Sequence, residues 1–206
     1  MLIGIITSVA TMTIAALYGT AIAFFGGWIE RVGMWILDML LVIPSFLLVA
    51  MIVRAANAKA GWIWLIIGLT AFGWVGYARI IRTMALSLRE RDYIKAARFM
   101  GVGSFKIILR HLVPNLASMI IINTVLGVVN AVASETALSY LGVGIKLPDT
   151  SLGLILQTGA STTQTAPWIV VFPSVALVLL TFSMQLIGDG LRDALDPNSA
   201  ANGQVN

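Results

Sequence analysis

The chain has 206 residues, of which 59% are hydrophobic and 11% are charged, and its net charge is +4. Soluble domains carry about 25% charged residues, so a chain this apolar cannot keep its surface hydrated and is predicted to lie in a membrane. The absence of cysteine excludes disulfides, thiolate catalysis and cysteine-ligated metals.

Long apolar runs predict an all-α fold, a polytopic transmembrane helical bundle of about five spans. A segment in lipid must satisfy its own backbone hydrogen bonds, which only helices and closed barrels achieve. The apolar runs are continuous instead of alternating, which favours helices over barrel strands. The predicted spans cover residues 2–25, 33–53, 61–78, 115–138 and 168–188.

The first two predicted spans differ in their polar content. Residues 1–25 carry no charge, and no basic segment precedes the apolar run as it would in a secretory signal peptide. The second span contains Asp38 and Pro44. Pro44 is expected to kink its helix. Because a charge in lipid is costly, Asp38 is expected either to line a translocation path or to have a structural partner.

A basic segment follows the third predicted span. Eight of the 13 lysines and arginines lie within it, namely Arg79, Arg82, Arg89, Arg91, Lys95, Arg98, Lys106 and Arg110. Because cytoplasmic loops are enriched in basic residues, this segment is predicted to face the cytoplasm. That orientation places Met1 outside and the C-terminus inside. An uncharged start on the outer side is unusual, and we expect that a preceding span is missing.

Residues 93–112 have the pattern of two short amphipathic helices joined by a glycine hinge. Gly101 and Gly103 interrupt the pattern, Ser104 is placed to cap the second helix, and Pro114 marks the start of the next span. Small and apolar residues at helical spacing form one face of each helix. These residues are Tyr93, Ala96, Ala97 and Met100 in the first helix, and Phe105, Ile108, Leu109 and Leu112 in the second.

Three interpretations of this basic helix pair are open. Its basic residues could bind anionic lipid headgroups. It could be a helix-turn-helix that reads DNA, although membrane tethering at both ends leaves little freedom to follow a groove, so nucleic acid is not expected as a partner. It could be a protein-docking surface. Docking best explains the hinge and the small pair Ala96 and Ala97, which allow another surface to approach closely.

Polar residues in the fourth predicted span are the remaining candidates for chemistry. Asn130 and Glu135, together with Asp38, are candidates for a translocation path. The alternatives are an interhelical hydrogen bond for Asn130 and a structural or helix-end position for Glu135. His111 is the only histidine, which excludes a histidine cluster for metal, and it is expected to be a packing or interface residue.

The spacing of Ala96, Ala97, Gly101 and Pro114 resembles the EAA loop of bacterial ABC-transporter permease subunits, in the importer class that works with substrate-binding proteins. Lys95 stands where the family pattern has Glu. Three further patches are similar to the C-type permease of dipeptide, oligopeptide and nickel importers. They are "AFFGGWIERVGMWILDMLLVIPSFLL" (23–48), "SETALSYLGVGIKLPDTSLG" (134–153) and "GDGLRDALDP" (188–197).

The resemblance implies a type I ABC importer permease-like fold and a subunit that translocates peptides or a related small polar solute. It implies a bacterial or archaeal inner membrane as the location, with lipid around the bundle and a cytoplasmic C-terminus. The implied partners are cytoplasmic ABC ATPase subunits, a second homologous permease and an extracytoplasmic solute-binding protein. The sequence has no G-x-x-x-x-G-K-[ST] motif, so ATP hydrolysis is expected in the partner ATPases, with no cofactor in this chain.

The resemblance also implies a domain organisation and a set of ATPase-coupling residues. Residues 1–190 are expected to form the permease domain, with a cytoplasmic coupling loop at residues 84–114, and residues 191–206 a cytoplasmic tail with a disordered end. The expected coupling residues are Tyr93, Lys95, Ala96, Ala97, Met100, Gly101, Phe105, Leu109 and Pro114. The competing functions are a stand-alone secondary carrier and a non-transporting scaffold fragment of such a permease.

Overall fold

A computed structural model describes residues 1–55 and 61–195, and every regular element in these two ranges is helical. The helices are α1 (Leu2–Phe25), α2 (Gly27–Val42), α3 (Ser45–Ala55), α4 (Gly61–Arg89), α5 (Asp92–Phe99), α6 (Ser104–Ile107), a π-helical turn (Ile108–Leu112), α7 (Val113–Asn115), α8 (Ala117–Tyr140), α9 (Leu152–Ala160) and α10 (Trp168–Leu195). The prediction of an all-α fold is confirmed.

The prediction of about five spans is also confirmed. In the described ranges, 4 helices are long and apolar enough to cross a membrane, namely α1, α4, α8 and α10. The bent pair α2 and α3 adds a fifth if the two helices together form one span. These lengths suit a hydrocarbon core of about 30 Å, since an α-helix rises about 1.5 Å per residue.

The second span differs from the prediction of one kinked helix over residues 33–53. Its helix begins at Gly27 and is broken after Val42, and a new helix begins at Ser45. Ile43 is extended, with φ −84° and ψ 128°, because the ring of Pro44 excludes the helical conformation from the residue before it. Pro44 therefore ends one helix instead of bending it.

Two helices continue beyond their predicted ends. α4 runs to Arg89 instead of residue 78, and α10 runs to Leu195 instead of residue 188. Hydropathy falls where the arginines of α4 begin, but Ile81 and Ala85 are fully buried and maintain an inward-facing apolar stripe. The end of α10 covers the first residues of the predicted tail. The rest of that tail, from residue 196, lies outside the described residues.

The chain forms two compact units. One contains Ala10–Ser45 and Phe72–Ile121, and the other contains Met1–Val9, Phe46–Ala71 and the chain from Ile122 onward. The unit around Ala10–Ser45 contains residues 84–114, the predicted coupling loop. Its core brings α1 against α4 through small side chains, and a Cβ on Gly19 would lie 2.6 Å from the carbonyl oxygen of Ala78. Close packing of small residues is the usual way in which helices associate in lipid.

The unit from Ile122 onward is organised by one face of α8. Along this helix, small, apolar and polar side chains at helical spacing are buried, and these are Gly127, Val128, Ala131, Val132, Glu135, Leu138 and Ser139. α9 follows after a turn and contacts α10, where a Cβ on Gly159 would come within 2.8 Å of the Ile169 side chain. Most of the apolar surface of α10 is exposed, and Phe172, Val178 and Leu179 form part of it. Such a surface suits contact with lipid tails or with another apolar helix.

Candidate functional site: the coupling loop

The hinge of the coupling loop is a helix stop that requires glycine. α5 ends at Phe99, and Gly101 has a φ of +74°, a left-handed conformation that side chains disfavour. The amide of Val102 donates to the carbonyl of Ala97 at 3.1 Å, and the amide of Gly101 donates to that of Arg98 at 3.0 Å. These two bonds form a Schellman motif. The predicted break at Gly101 is confirmed, and the chain turns there into the second helix.

The first helix presents a different face from the one predicted. Ile94 is fully buried and Ala97 is 4% exposed, whereas Tyr93, Ala96 and Met100 are exposed. Ala97 packs inside its own chain, so the prediction that it opens the helix to another protein with Ala96 is wrong. A helix of eight residues with apolar side chains on two sides does not define its inner face by spacing alone.

The face predicted for the second helix is also divided. Ile107, Ile108 and Leu112 are buried, whereas Phe105 and Leu109 are exposed. The reason is the π-helical turn at Ile108–Leu112, whose wider turn takes about one more residue than an α-helical turn. The extra residue rotates Leu112 towards Ile107 and leaves Leu109 outside.

The residue that caps the start of the second helix differs from the prediction, whereas the predicted boundary at Pro114 agrees with the structure. Gly103 occupies the N-cap position, Ser104 is the first helical residue, and no side-chain hydrogen bond caps this end. The expectation that Ser104 caps the helix is therefore wrong. Pro114 lies exposed in α7, three residues before α8 begins, as expected for a boundary between the loop and the next span.

An outer surface results from this arrangement. It consists of the exposed small and apolar residues of the loop, Tyr93, Ala96, Phe99, Met100, Phe105 and Leu109. Phe99 is 92% exposed and was not among the predicted coupling residues. Its position, three residues after Ala96, is the sequence signal that could have revealed it. Exposed aromatic and methionine side chains of this density mark an interaction site more often than a solvated face.

Lys95 has a partner within the chain. Its ammonium lies 3.5 Å from a carboxylate oxygen of Glu90, and the Arg89 guanidinium lies 3.2 Å from the other oxygen. The hydrogen bond from Arg89, followed by that from Lys95, holds the pKa of Glu90 below its usual value. Glu90 therefore remains ionised and orients two cations at the entrance to α5.

The C-terminal end of α1 anchors the loop. Phe24 is 3% exposed and packs with the buried residues of both loop helices, which are Ile94, Ala97, Ile107, Ile108 and Leu112. Arg98 donates to the carbonyl of Phe24 at 2.8 Å, and Arg89 donates to that of Ala23 at 2.7 Å. This contact could not be predicted from the sequence, because nothing in the spacing links residues 24 and 98.

Glu135 is a buried carboxylate at one side of a cavity of about 450 Å³. Ser139 donates to it at 2.7 Å, and the hydroxyl of Thr136 lies 3.4 Å away. Apolar side chains, including Val132, Leu152 and Ile155, line most of the cavity. No group of three or more His, Asp or Glu side chains in the described ranges could hold a metal ion.

The other two path candidates lie elsewhere. Asn130 is exposed on α8 and, five residues before Glu135, lies about 140° around the helix from it. Asp38, in the other unit, forms an ion pair with Arg79. This ion pair is the structural partner that the sequence left open for Asp38. A place on a translocation path stays a prediction for Asp38, Asn130 and Glu135.

The chain is similar in sequence to known transport proteins. Residues 11–200 match the family model described as "Binding-protein-dependent transport system inner membrane component". The chain is 47% identical to the oligopeptide transport system permease protein OppC of Mycobacterium tuberculosis over 97% of this chain and 68% of that protein. It is 36% identical to OppC of Haemophilus influenzae over 96% of this chain and 63% of the relative. It is 30% identical to the dipeptide transport system permease protein DppC of Lactococcus lactis over 97% of this chain and 58% of that protein.

Proposed function

The chain belongs to the family of binding-protein-dependent transport system inner membrane components, and on this premise we propose that it is a peptide-translocating permease subunit of an ATP-driven importer. A solute-binding protein delivers the peptide on the outer side. Cytoplasmic ATPase subunits bind the coupling loop, and a second homologous permease completes the path. The names of its relatives support peptides as the substrate class.

The outer surface of the coupling loop is the observation that carries this proposal. Phe99, Met100 and Phe105 are each at least 75% exposed, and a cluster of exposed apolar side chains of this kind marks an interaction site. They lie within a segment whose basic residues favour the cytoplasmic side. An apolar surface with a basic border suits a groove on a protein, which supports docking of an ATPase over adhesion to lipid headgroups.

ATP binding and hydrolysis belong to the partners in this proposal. The chain has no phosphate-binding motif of the P-loop type, and only one histidine. Closure of an ATPase pair would displace the coupling loop, and the spanning helices would then alternate between inward and outward access. Glu135 and the cavity beside it are the proposed place where this chain contributes to the path, because the carboxylate is the one charged side chain among the residues that line this cavity.

A matched pair of alanine variants tests the docking. Ala96 and Ala160 are both exposed alanines on short helices, the first on the coupling loop and the second on α9. We expect Ala96→Asp to reduce copurification of the ATPase subunits by about tenfold, because a carboxylate would be buried against the docked protein. ATP-dependent uptake of radiolabelled trialanine into proteoliposomes should fall equally. Ala160→Asp should retain both the copurifying ATPase subunits and the ATP-dependent uptake.

Two outcomes would contradict the proposal. Unchanged ATPase binding and uptake in Ala96→Asp would exclude the outer surface as the docking site. Uptake of trialanine by liposomes that contain this chain without any ATPase would favour a secondary carrier.

A further inference from the structure

The C-terminal end of α1 accepts hydrogen bonds from two arginine side chains of the same chain. The last four carbonyl groups of a helix have no partner within it and carry a partial negative charge. In α1 these groups include the carbonyls of Ala23 and Phe24, and both accept hydrogen bonds from arginines outside the helix. Arginines near such an end supply the missing donors.

Arg98 binds this end in two ways. Its guanidinium donates to the carbonyl of Phe24 at 2.8 Å, and its Cζ lies 4.1 Å from the centre of the Phe24 ring. A cation above an aromatic face is attracted by the ring, and the planar guanidinium can stack there while it keeps its hydrogen bond. One residue of α5 thus holds both the backbone and the side chain of one residue of α1.

Arg89 makes a parallel contact from the other side of the loop entrance. It is the last residue of α4, and it donates to the carbonyl of Ala23 at 2.7 Å. Glu90, beside it, binds Arg89 and Lys95. The last residue of α4 and a residue in the last turn of α5 are therefore both hydrogen-bonded to the same helix terminus.

We propose that Arg98 and Arg89 form a latch that transmits displacement of the coupling loop to α1. The inference rests on the proposed function, because it assumes that an ATPase moves the loop. Phe24 is buried, packs with residues of both loop helices and gives the latch its apolar centre. Both arginines are positioning residues within the chain, and neither is needed as a contact to the ATPase.

The absence of cysteine in this chain makes a direct distance measurement possible. Spin labels at Arg31→Cys on α2 and Lys106→Cys on α6, both at exposed positions, report the separation of the loop from the α1–α2 corner. In the full chain in nanodiscs, the labels should give one narrow distance distribution. The variant Arg98→Gln should broaden it and raise the displaced population about tenfold, since a charge-assisted hydrogen bond is lost.

Two matched variants control for loss of charge. Arg110→Gln removes a positive charge from an exposed side chain of the same segment and should leave the distribution unchanged. Arg98→Lys can still reach the carbonyl but cannot stack as a planar group, so it should be intermediate. An Arg89→Gln, Arg98→Gln double variant with the narrow distribution of the unaltered chain would overturn the latch.

A transport readout separates the latch from the function on which it rests. In the assembled transporter, Arg98→Gln should retain its ATPase subunits and ATP hydrolysis but move about tenfold less trialanine per ATP. Loss of ATPase binding in this variant would contradict a role that lies within the chain. If the unaltered transporter showed no ATP-dependent uptake, the proposed function would fail, whereas the distance measurement would still decide whether the latch exists.

Discussion

Ser139 joins three parts of the chain at the end of α8. The hydroxyl of this fully buried residue donates to Glu135 at 2.7 Å and accepts from the amide of Ile145 at 3.0 Å. It thereby connects a helical carboxylate to the turn that follows. Gly153 on α9 packs against the same place, since a Cβ there would lie 2.8 Å from the Cβ of Ser139 and 2.5 Å from the carbonyl oxygen of Thr136.

The variant Gly153→Ala should therefore destabilise the protein. The methyl group would meet backbone atoms that cannot move aside, and overpacking of this kind costs about 1–3 kcal/mol. Its control is Gly76→Ala, an exposed position within α4 where a Cβ would meet nothing within 4 Å and where alanine favours the helix. Thermal unfolding in detergent should give a lower midpoint for Gly153→Ala and an equal or higher one for Gly76→Ala. Equal midpoints would refute the close approach of α9 to α8.

The contacts around Glu135 show which partners of a single residue can be predicted from the sequence and which cannot. Its position in a span predicted that it would have a partner or a function, and Ser139, four residues later, is at the spacing of a helical neighbour. The bond from the Ile145 amide depends on how the turn folds back. Asp38 and Arg79 are likewise partners that are separated by a whole span, so no local pattern pairs them.

Two ion pairs join α2 to α4, and they differ in burial. The side chains of Glu30 and Arg82 are 18% and 25% exposed, whereas those of Asp38 and Arg79 are 53% and 45% exposed. Removing one member of a shielded pair leaves a charge that solvent cannot stabilise, whereas an exposed pair contributes little.

We therefore expect Arg82→Gln to destabilise the protein by about 2 kcal/mol and Arg79→Gln by less than about 1 kcal/mol. Thermal unfolding in detergent at low salt measures both. The exchanged variant Glu30→Arg, Arg82→Glu should recover part of the loss, because it restores the pair with reversed polarity. If Arg79→Gln were the more damaging substitution, burial would not determine the strength of these pairs.

The helices could be predicted because lipid permits few alternatives to a continuous apolar helix, and the all-α fold and the span count follow from this constraint. Faces of short helices could not be predicted in the same way. Ala97 was expected on an open face and is buried, because α5 has only eight residues, and the face predicted for the second helix is divided because a π-helical turn interrupts it. Pro44 was expected to kink a single helix, but the extended conformation of Ile43 before it separates α2 from α3.

The molecule as a whole is an apolar helical chain with one basic two-helix loop between long helices. Its proposed function requires that this loop lie on the cytoplasmic side, where ATP is available to partner subunits. The charge distribution favours that orientation, since eight of the 13 basic residues lie in or next to the loop. In the same orientation, the α9–α10 connection lies on the outer side.

Labelling of single cysteines in membranes tests this orientation most directly, because the chain has none of its own. Met100→Cys lies on the exposed outer surface of the loop, and Thr163→Cys lies in the exposed α9–α10 connection. With a membrane-impermeant maleimide, Met100→Cys should react in inside-out vesicles and not in intact cells, and Thr163→Cys should show the reverse. Labelling of Met100→Cys from outside intact cells would contradict ATPase coupling through this loop.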